Sequence, residues 1–321
     1  MKKYKYEFIV LLASAIIMVL ELTATRILSP YVGTSNIVWT SIIGIILASM
    51  SLGYYFGGIL SDKRPDSKIL SLIILITGVY IGLIPLMEVS VIHFLSESIT
   101  SLKVGSLVCS IILFAIPSLL LASVYPYCMK LKEIEKDDIG KISGRLSFYS
   151  TLGSIIGTFL TGFVLLPLIG NKMIIMLIAI ISLLLSFVIN RNNIKNILLV
   201  ILGVIVVFLS YVLSIKIIYY NNENLLLDKD TEYNRVFVSD LYDNNRYIGR
   251  ELRVGKQRQS LHNDDLANIY YYNYFDLMKY FKQQASPWAC SIVPKLQLPA
   301  AMLSRGLVSL SRVCMAAART V

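Results

Sequence analysis

Acidic residues stop early in this chain: none of the 20 lies beyond Asp276, although basic residues continue to Arg319. Histidine is nearly missing as well, with only His93 and His262, far apart and without a ligand cluster near them. Metal chemistry therefore has no donor set. The four cysteines, Cys109, Cys128, Cys290 and Cys314, show neither metal nor redox spacing. Cys109 and Cys128 fall in or beside one apolar run, where cysteine serves as a small polarisable core residue. Charged residues make up only 16% of the chain, which leaves too little polar surface for a soluble domain with apolar runs this long. The net charge of +10 does not indicate nucleic acid. The basic residues sit in short segments between apolar runs, where they orient a membrane protein, and no nucleic-acid partner is expected.

What the chain has in abundance is apolar sequence, 56% of all residues, with a mean hydropathy of +0.68. Seven apolar runs stand out, at about 8–28, 37–60, 69–87, 105–127, 146–168, 173–189 and 196–218. Each is near the ~20 residues that a helix needs to cross a bilayer. The first follows MKKYKYE, a basic start like that of a signal peptide. No small-residue cleavage site follows it, so it is read as a retained first helix. The run at 196–218 carries no charge until Lys216 and is expected to insert.

The loops sort by charge. Lys2, Lys3 and Lys5 precede the first run, and Lys63, Arg64 and Lys68 follow the second. Lys130, Lys132, Lys136, Lys141 and Arg145 follow the fourth, and Arg191 and Lys195 the sixth. The opposite loops hold little more than Lys103 and Lys172. By the positive-inside rule this predicts a multi-pass cell-membrane protein with a cytoplasmic N-terminus. Seven spans then place the C-terminal module on the non-cytoplasmic side. Gly53-Tyr-Tyr-Phe-Gly57 in the second run and Gly153-Ser-Ile-Ile-Gly157 in the fifth are small-xxx-small patterns that let helix backbones approach. They lie three spans apart in opposite directions, as in a 3+3 inverted repeat of transporter halves. Pro85, Pro117, Pro126 and Pro167 are expected as tolerated kinks.

After residue 218 the character changes. Residues 219–284 hold alternating stretches such as Arg235-Val-Phe-Val-Ser-Asp and the turn signal Asp243-Asn-Asn, which predict short antiparallel strands. NIYYYNYFDLMKYF reads as a helix that packs its aromatics. From Ala285 the sequence turns to Ala, Pro, Ser, Leu and Arg, with Gly306 the only glycine. The fold class is thus an all-α polytopic membrane bundle of about seven transmembrane helices (1–218), then a small β-rich module (219–284) and an atypical tail (285–321). The tail is expected to be out of frame or foreign to what precedes it; a divergent C-terminal extension is the other reading.

Several stretches carry a resemblance. ELTATRILSPYVGTSNIVWTSIIGIILASMSLGYYFGGILSDK (21–63), PSLLLASVYPYCMKL (117–131) and GRLSFYSTLGSIIGTFLTGFVLLPLIG (144–170) resemble the spans of membrane-fused spermidine-synthase-like proteins. TEYNRVFVSD, RELRVGKQRQSL and YYNYFDLMKYF are similar to the strands and linking helix ahead of the nucleotide-binding core of polyamine aminopropyltransferases. The resemblance covers about residues 8–284. It implies aminopropyl transfer from decarboxylated S-adenosylmethionine to putrescine, with a Gly-rich turn for the cofactor and carboxylates for the amine. The sequence after Lys282 holds neither, so no cofactor or catalytic residue is assigned and the chain as given is expected to be inactive in that reaction. The alternative is a transporter-like module for a polyamine or other small solute.

The candidate site residues follow from these readings. Glu21 and Arg26, in the outer half of the first run, match acidic and basic positions of the resembled motif. They suit either a polar site for a cationic or polar ligand or a structural pair with Arg26 at the interface. Asp62, Lys63 and Arg64 resemble the start of the loop between the second and third helices of major-facilitator transporters. Pro65 and Asp66 depart from that pattern, and a capped, charged cytoplasmic turn is the other reading. Gln259 and Tyr272 lie where aminopropyltransferases place substrate-contacting residues, although Gln259 is four residues after Gly255 where the family commonly has three. Strand and helix surface positions are the other reading for both.

Overall fold

The computed structural model describes residues 4–32, 36–98, 102–134, 139–191, 194–221, 224–230, 235–243, 246–254 and 257–262. Seven helices are long and apolar enough to cross a membrane, at Lys5–Ser29, Asn36–Lys63, Ser67–Glu88, Lys103–Glu133, Ile139–Leu168, Asn171–Ile189 and Ile194–Ile215. They correspond one for one to the seven apolar runs, and the chain is a multi-pass membrane protein. A bilayer offers no water to backbone amides, so an apolar run that crosses it closes its hydrogen bonds within itself as a helix. Several hydroxyls embedded in the spans follow the same rule, whereas those of Ser118 and Ser210 are buried without a partner among the described residues. Thr23, Ser41, Ser49, Thr77, Ser110 and Thr161 each donate to the carbonyl four residues earlier.

The first three spans are α1 (Lys5–Val32), α2 (Asn36–Lys63) and α3 (Ser67–Ser98). The fourth is α4 (Leu102–Ser110), a π-helical turn at Ile111–Ala115 and α5 (Ile116–Glu133). The fifth is α6 (Ile139–Leu160), a second π turn at Thr161–Leu165 and α7 (Leu166–Leu168). The sixth and seventh are α8 (Asn171–Ile189) and α9 (Ile194–Asn221). Both π turns end just ahead of a proline, Pro117 and Pro167. Proline lacks an N–H and its ring collides with the carbonyl four residues back, and a wider turn relieves both faults. Tyr80 of α3 donates to the carbonyl of Ile112 within the first of these turns.

Spans one, three, four and six form the interior, and spans two, five and seven are peripheral. The outward faces of the peripheral helices carry Leu47, Phe56, Phe159, Phe163, Leu202 and Phe208; such apolar faces suit a lipid environment.

The glycine pairs decide how the spans meet. A Cβ on Gly53 would overlap the Leu119 carbonyl of α5, and one on Gly57 would lie 2.7 Å from the Ser123 Cα. A Cβ on Gly153 would overlap the Leu11 carbonyl of α1, and one on Gly157 would lie 2.6 Å from the Ala15 carbonyl oxygen. Second span packs on fourth, and fifth on first. These are the same contact with spans 1–3 and spans 4–6 exchanged. The third and sixth spans, α3 and α8, pack on each other, as an exchange of halves requires. Leu52, Gly53, Gly57 and Leu60 recur as Leu152, Gly153, Gly157 and Leu160.

Beyond the helices, β1 (Leu225–Asp230), β2 (Arg235–Asp243), β3 (Arg246–Val254) and β4 (Gln257–His262) form one sheet in chain order. Two-residue connections at 244–245 and 255–256 can join only antiparallel neighbours. The strands expected between 219 and 284 are present, and β2 ends at the Asp243 turn signal. The aromatic helix expected at 268–281 and the tail at 285–321 lie outside the described residues. The chain groups into two compact units, Met1–Val238 with Val254–Lys256, and Ser239–Arg253 with Gln257–Val321.

Candidate functional site

The N-terminal end of the bundle holds a buried charge cluster. Glu7, in the first turn of α1, is 1% exposed, and Lys132, in the last turn of α5, is 3% exposed. Their side chains form an ion pair. Arg145 of α6, half-exposed, reaches the same Glu7 oxygen at 2.5 Å and lies over the Tyr4 ring. Both buried charges sit where the helix dipole favours them, a carboxylate at an N-terminus and an ammonium at a C-terminus, each worth about 0.3–1 kcal/mol. Glu7 Oε2 is buried without a hydrogen-bond partner among the described residues. One oxygen of this carboxylate meets both cations while the other is left unsatisfied.

Other polar contacts gather at this end. Lys5 donates to the Ile189 carbonyl at the end of α8 at 3.1 Å. Tyr127 of α5 donates its hydroxyl to the Arg64 carbonyl and accepts from the Asp66 amide at 3.3 Å, which pins the loop between the second and third spans. Lys130 meets Asp62 at 3.2 Å. Ser71, Ser186 and Asn196 join spans three, six and seven in a buried, mutually bonded group. Beside Arg145 a cleft of about 350 Å³ is lined by Lys141, Ile142, Gly144 and Arg145.

The residues singled out from the sequence are scattered. Glu21 and Arg26 are both half-buried in α1 and make no ion pair with any described residue. Five positions on a helix turn them about 140° apart around the axis, so they do not face each other. Asp62 is exposed and paired with Lys130, Lys63 ends α2, and Arg64 contributes its carbonyl to the Tyr127 clamp. Asp66 accepts from the Lys68 amide at 2.9 Å and caps α3. Gln259 lies on β4, with its side chain outside the described residues, and Tyr272 lies outside them altogether. No group of three metal-ligating side chains occurs among the described residues.

The Glu7 cluster was not visible as a site in the sequence. Lys132 and Arg145 counted there as loop charges, and Glu7 lay within the basic leader. One signal existed, a lone carboxylate opening an apolar run, and it gained meaning only when α5 and α6 came alongside. In the strand module Arg235 is held by Asp228 through two bonds of 2.7 and 2.6 Å and lies 3.7 Å from Glu88 of α3. Its place in unit 1 makes it a structural tie between α3 and the first strands.

No family, curated protein or solved structure matches this chain in comparisons with known proteins.

Proposed function

We propose that the first six spans are a transporter-like module built as two inverted halves, which moves a polyamine or other small solute across the membrane. The seventh span then delivers the strand module to the face opposite the N-terminus. The observation that supports this reading is the reciprocal glycine contact, Gly53 and Gly57 on Leu119 and Ser123, Gly153 and Gly157 on Leu11 and Ala15. Two halves related in this way can rock about their seam and expose a central site to either side. Glu21 is the carboxylate best placed to meet a cation inside the bundle, because charged residues within spans face the interior or a cavity. The loop charges support a cytoplasmic N-terminus by the positive-inside rule.

Purified protein in lipid vesicles is the test. Uptake of labelled putrescine or spermidine above empty vesicles is expected, with Glu21→Gln lowering it at least about tenfold, as loss of a counter-charge worth ~1.4 kcal/mol or more implies. No uptake for a panel of polyamines and small metabolites would reject the reading.

A second reading rests on the sheet. An antiparallel set of strands directly follows the last span, as the resemblance to membrane-fused spermidine-synthase-like proteins implies. There the bundle anchors a transferase module, with decarboxylated S-adenosylmethionine the cofactor of the intact family. That reading needs the strands on the cytoplasmic side, where such cofactors are made, and the side is measurable.

A further inference from the structure

We infer that Glu7, Lys132 and Arg145 form the gate that closes the bundle at its N-terminal end. The inference rests on the inverted-halves reading above and adds the element that reading lacks, a device holding one side shut.

Three observations carry it. The first is placement: Glu7 belongs to span one and its two cations to spans four and five, so the cluster joins one half to the other. Three ion pairs join the halves at this end, Glu7 with Lys132, Glu7 with Arg145, and Asp62 with Lys130. Nearer the opposite end Ser41 meets Ser106 at 3.0 Å and Tyr80 donates to the Ile112 carbonyl, two neutral contacts between the halves.

The second is burial. Glu7 and Lys132 are almost wholly withdrawn from solvent, which makes their separation depend on water reaching them. A contact of this kind is stable while dry and weak when wet, because charge attraction falls steeply as the dielectric rises. That is the behaviour a gate needs. The third is access: Arg145 is 37% exposed and lines the cleft of about 350 Å³ at this end. The cleft lies one residue from the buried pair.

Cys128 gives the readout. It is fully buried, and it precedes Lys132 by four residues on α5, so it lies one helical turn deeper on the same face. The full-length protein with Cys109, Cys290 and Cys314 changed to serine retains Cys128 as its single thiol. Vesicles of each orientation are treated with a membrane-impermeant maleimide and no solute. Slow labelling from either side is expected for the parent. Glu7→Gln should raise the rate at least about tenfold from the N-terminal side alone, as opening by ~1.4 kcal/mol implies. Arg145→Gln, which leaves the Glu7–Lys132 pair, should raise it less and decides the matter if Glu7→Gln does not fold. Asp62→Asn, at an exposed pair, should leave the rate unchanged.

Equal labelling from both sides, or no increase in whichever of the two gate variants fold, would overturn the gate. Failure of uptake alone would overturn the transport reading and leave a one-sided increase in Cys128 labelling intact.

Discussion

At the scale of single residues, the molecule separates charges by what burial does to them. Lys130 and Lys132 are two positions apart at the end of one helix. Lys130 meets an Asp62 that is 69% exposed, while Lys132 meets a Glu7 that is 1% exposed. Exposed pairs contribute about 0–1 kcal/mol, whereas removing one partner of a buried pair costs on the order of 3–5 kcal/mol through the charge left behind. Lys132→Met should therefore lower the unfolding free energy in mixed micelles by about 3 kcal/mol, and Lys130→Met should lower it far less. A similar loss for both would show that Glu7 is better hydrated than its position implies. The contrast was illegible in the sequence, where both lysines follow the fourth apolar run. Helical phase turns Lys132 toward α1 with Cys128, and only the helix opposite makes that face an interior.

At the scale of elements, backbone contact replaces side-chain interlocking. Lipid tails are as apolar as leucine, so apolar faces gain nothing from meeting one another, and close approach through glycine supplies the packing. Gly53→Leu and Gly153→Leu should each destabilise by ~1–3 kcal/mol or more, to similar extents, since each drives a side chain into a facing backbone. Gly44→Ala meets nothing within 4 Å, and should be neutral or stabilising by up to about 1 kcal/mol. Thermal unfolding in detergent compares the three, and a harmless Gly153→Leu would contradict the seam. The glycine pairs were readable from spacing, and their opposed directions already suggested paired halves. Which helix each pair touches was not readable, because GxxxG states that a neighbour comes close without naming it. Prolines were likewise visible as kinks. That Pro117 and Pro167 each widen the preceding turn into a π helix depends on the carbonyls they displace.

At the scale of the whole molecule, the distribution of loop charge and the count of spans make one prediction together. Topology reporters inserted after Arg64 and Arg191 should report the cytoplasm, and one after residue 225 the opposite side, with the two outcomes exclusive at each site. A cytoplasmic signal after residue 225 would mean that the seventh helix does not cross, and would favour the transferase reading over the transport one. The seven spans and the strands that follow them were legible because hydropathy runs and alternation are local properties. The site was less so: Glu21, Arg26 and Asp62 were chosen as charges in or beside spans, and they fall in three unconnected places.

Sequence alone determined that this chain carries seven runs long and apolar enough to cross a membrane, because a bilayer imposes length and apolarity on every span regardless of its neighbours. It also determined that glycine pairs face close partners and that a small set of strands follows the last helix. Tertiary structure alone decided which spans pair, that the pairing repeats with the halves exchanged, and that Glu7 is buried between Lys132 and Arg145. The reason is the range of the forces. Hydropathy acts residue by residue along the chain, while burial of this charge depends on α1 meeting α5 and α6, whose cations lie 125 and 138 positions from Glu7 and which only packing brings to it.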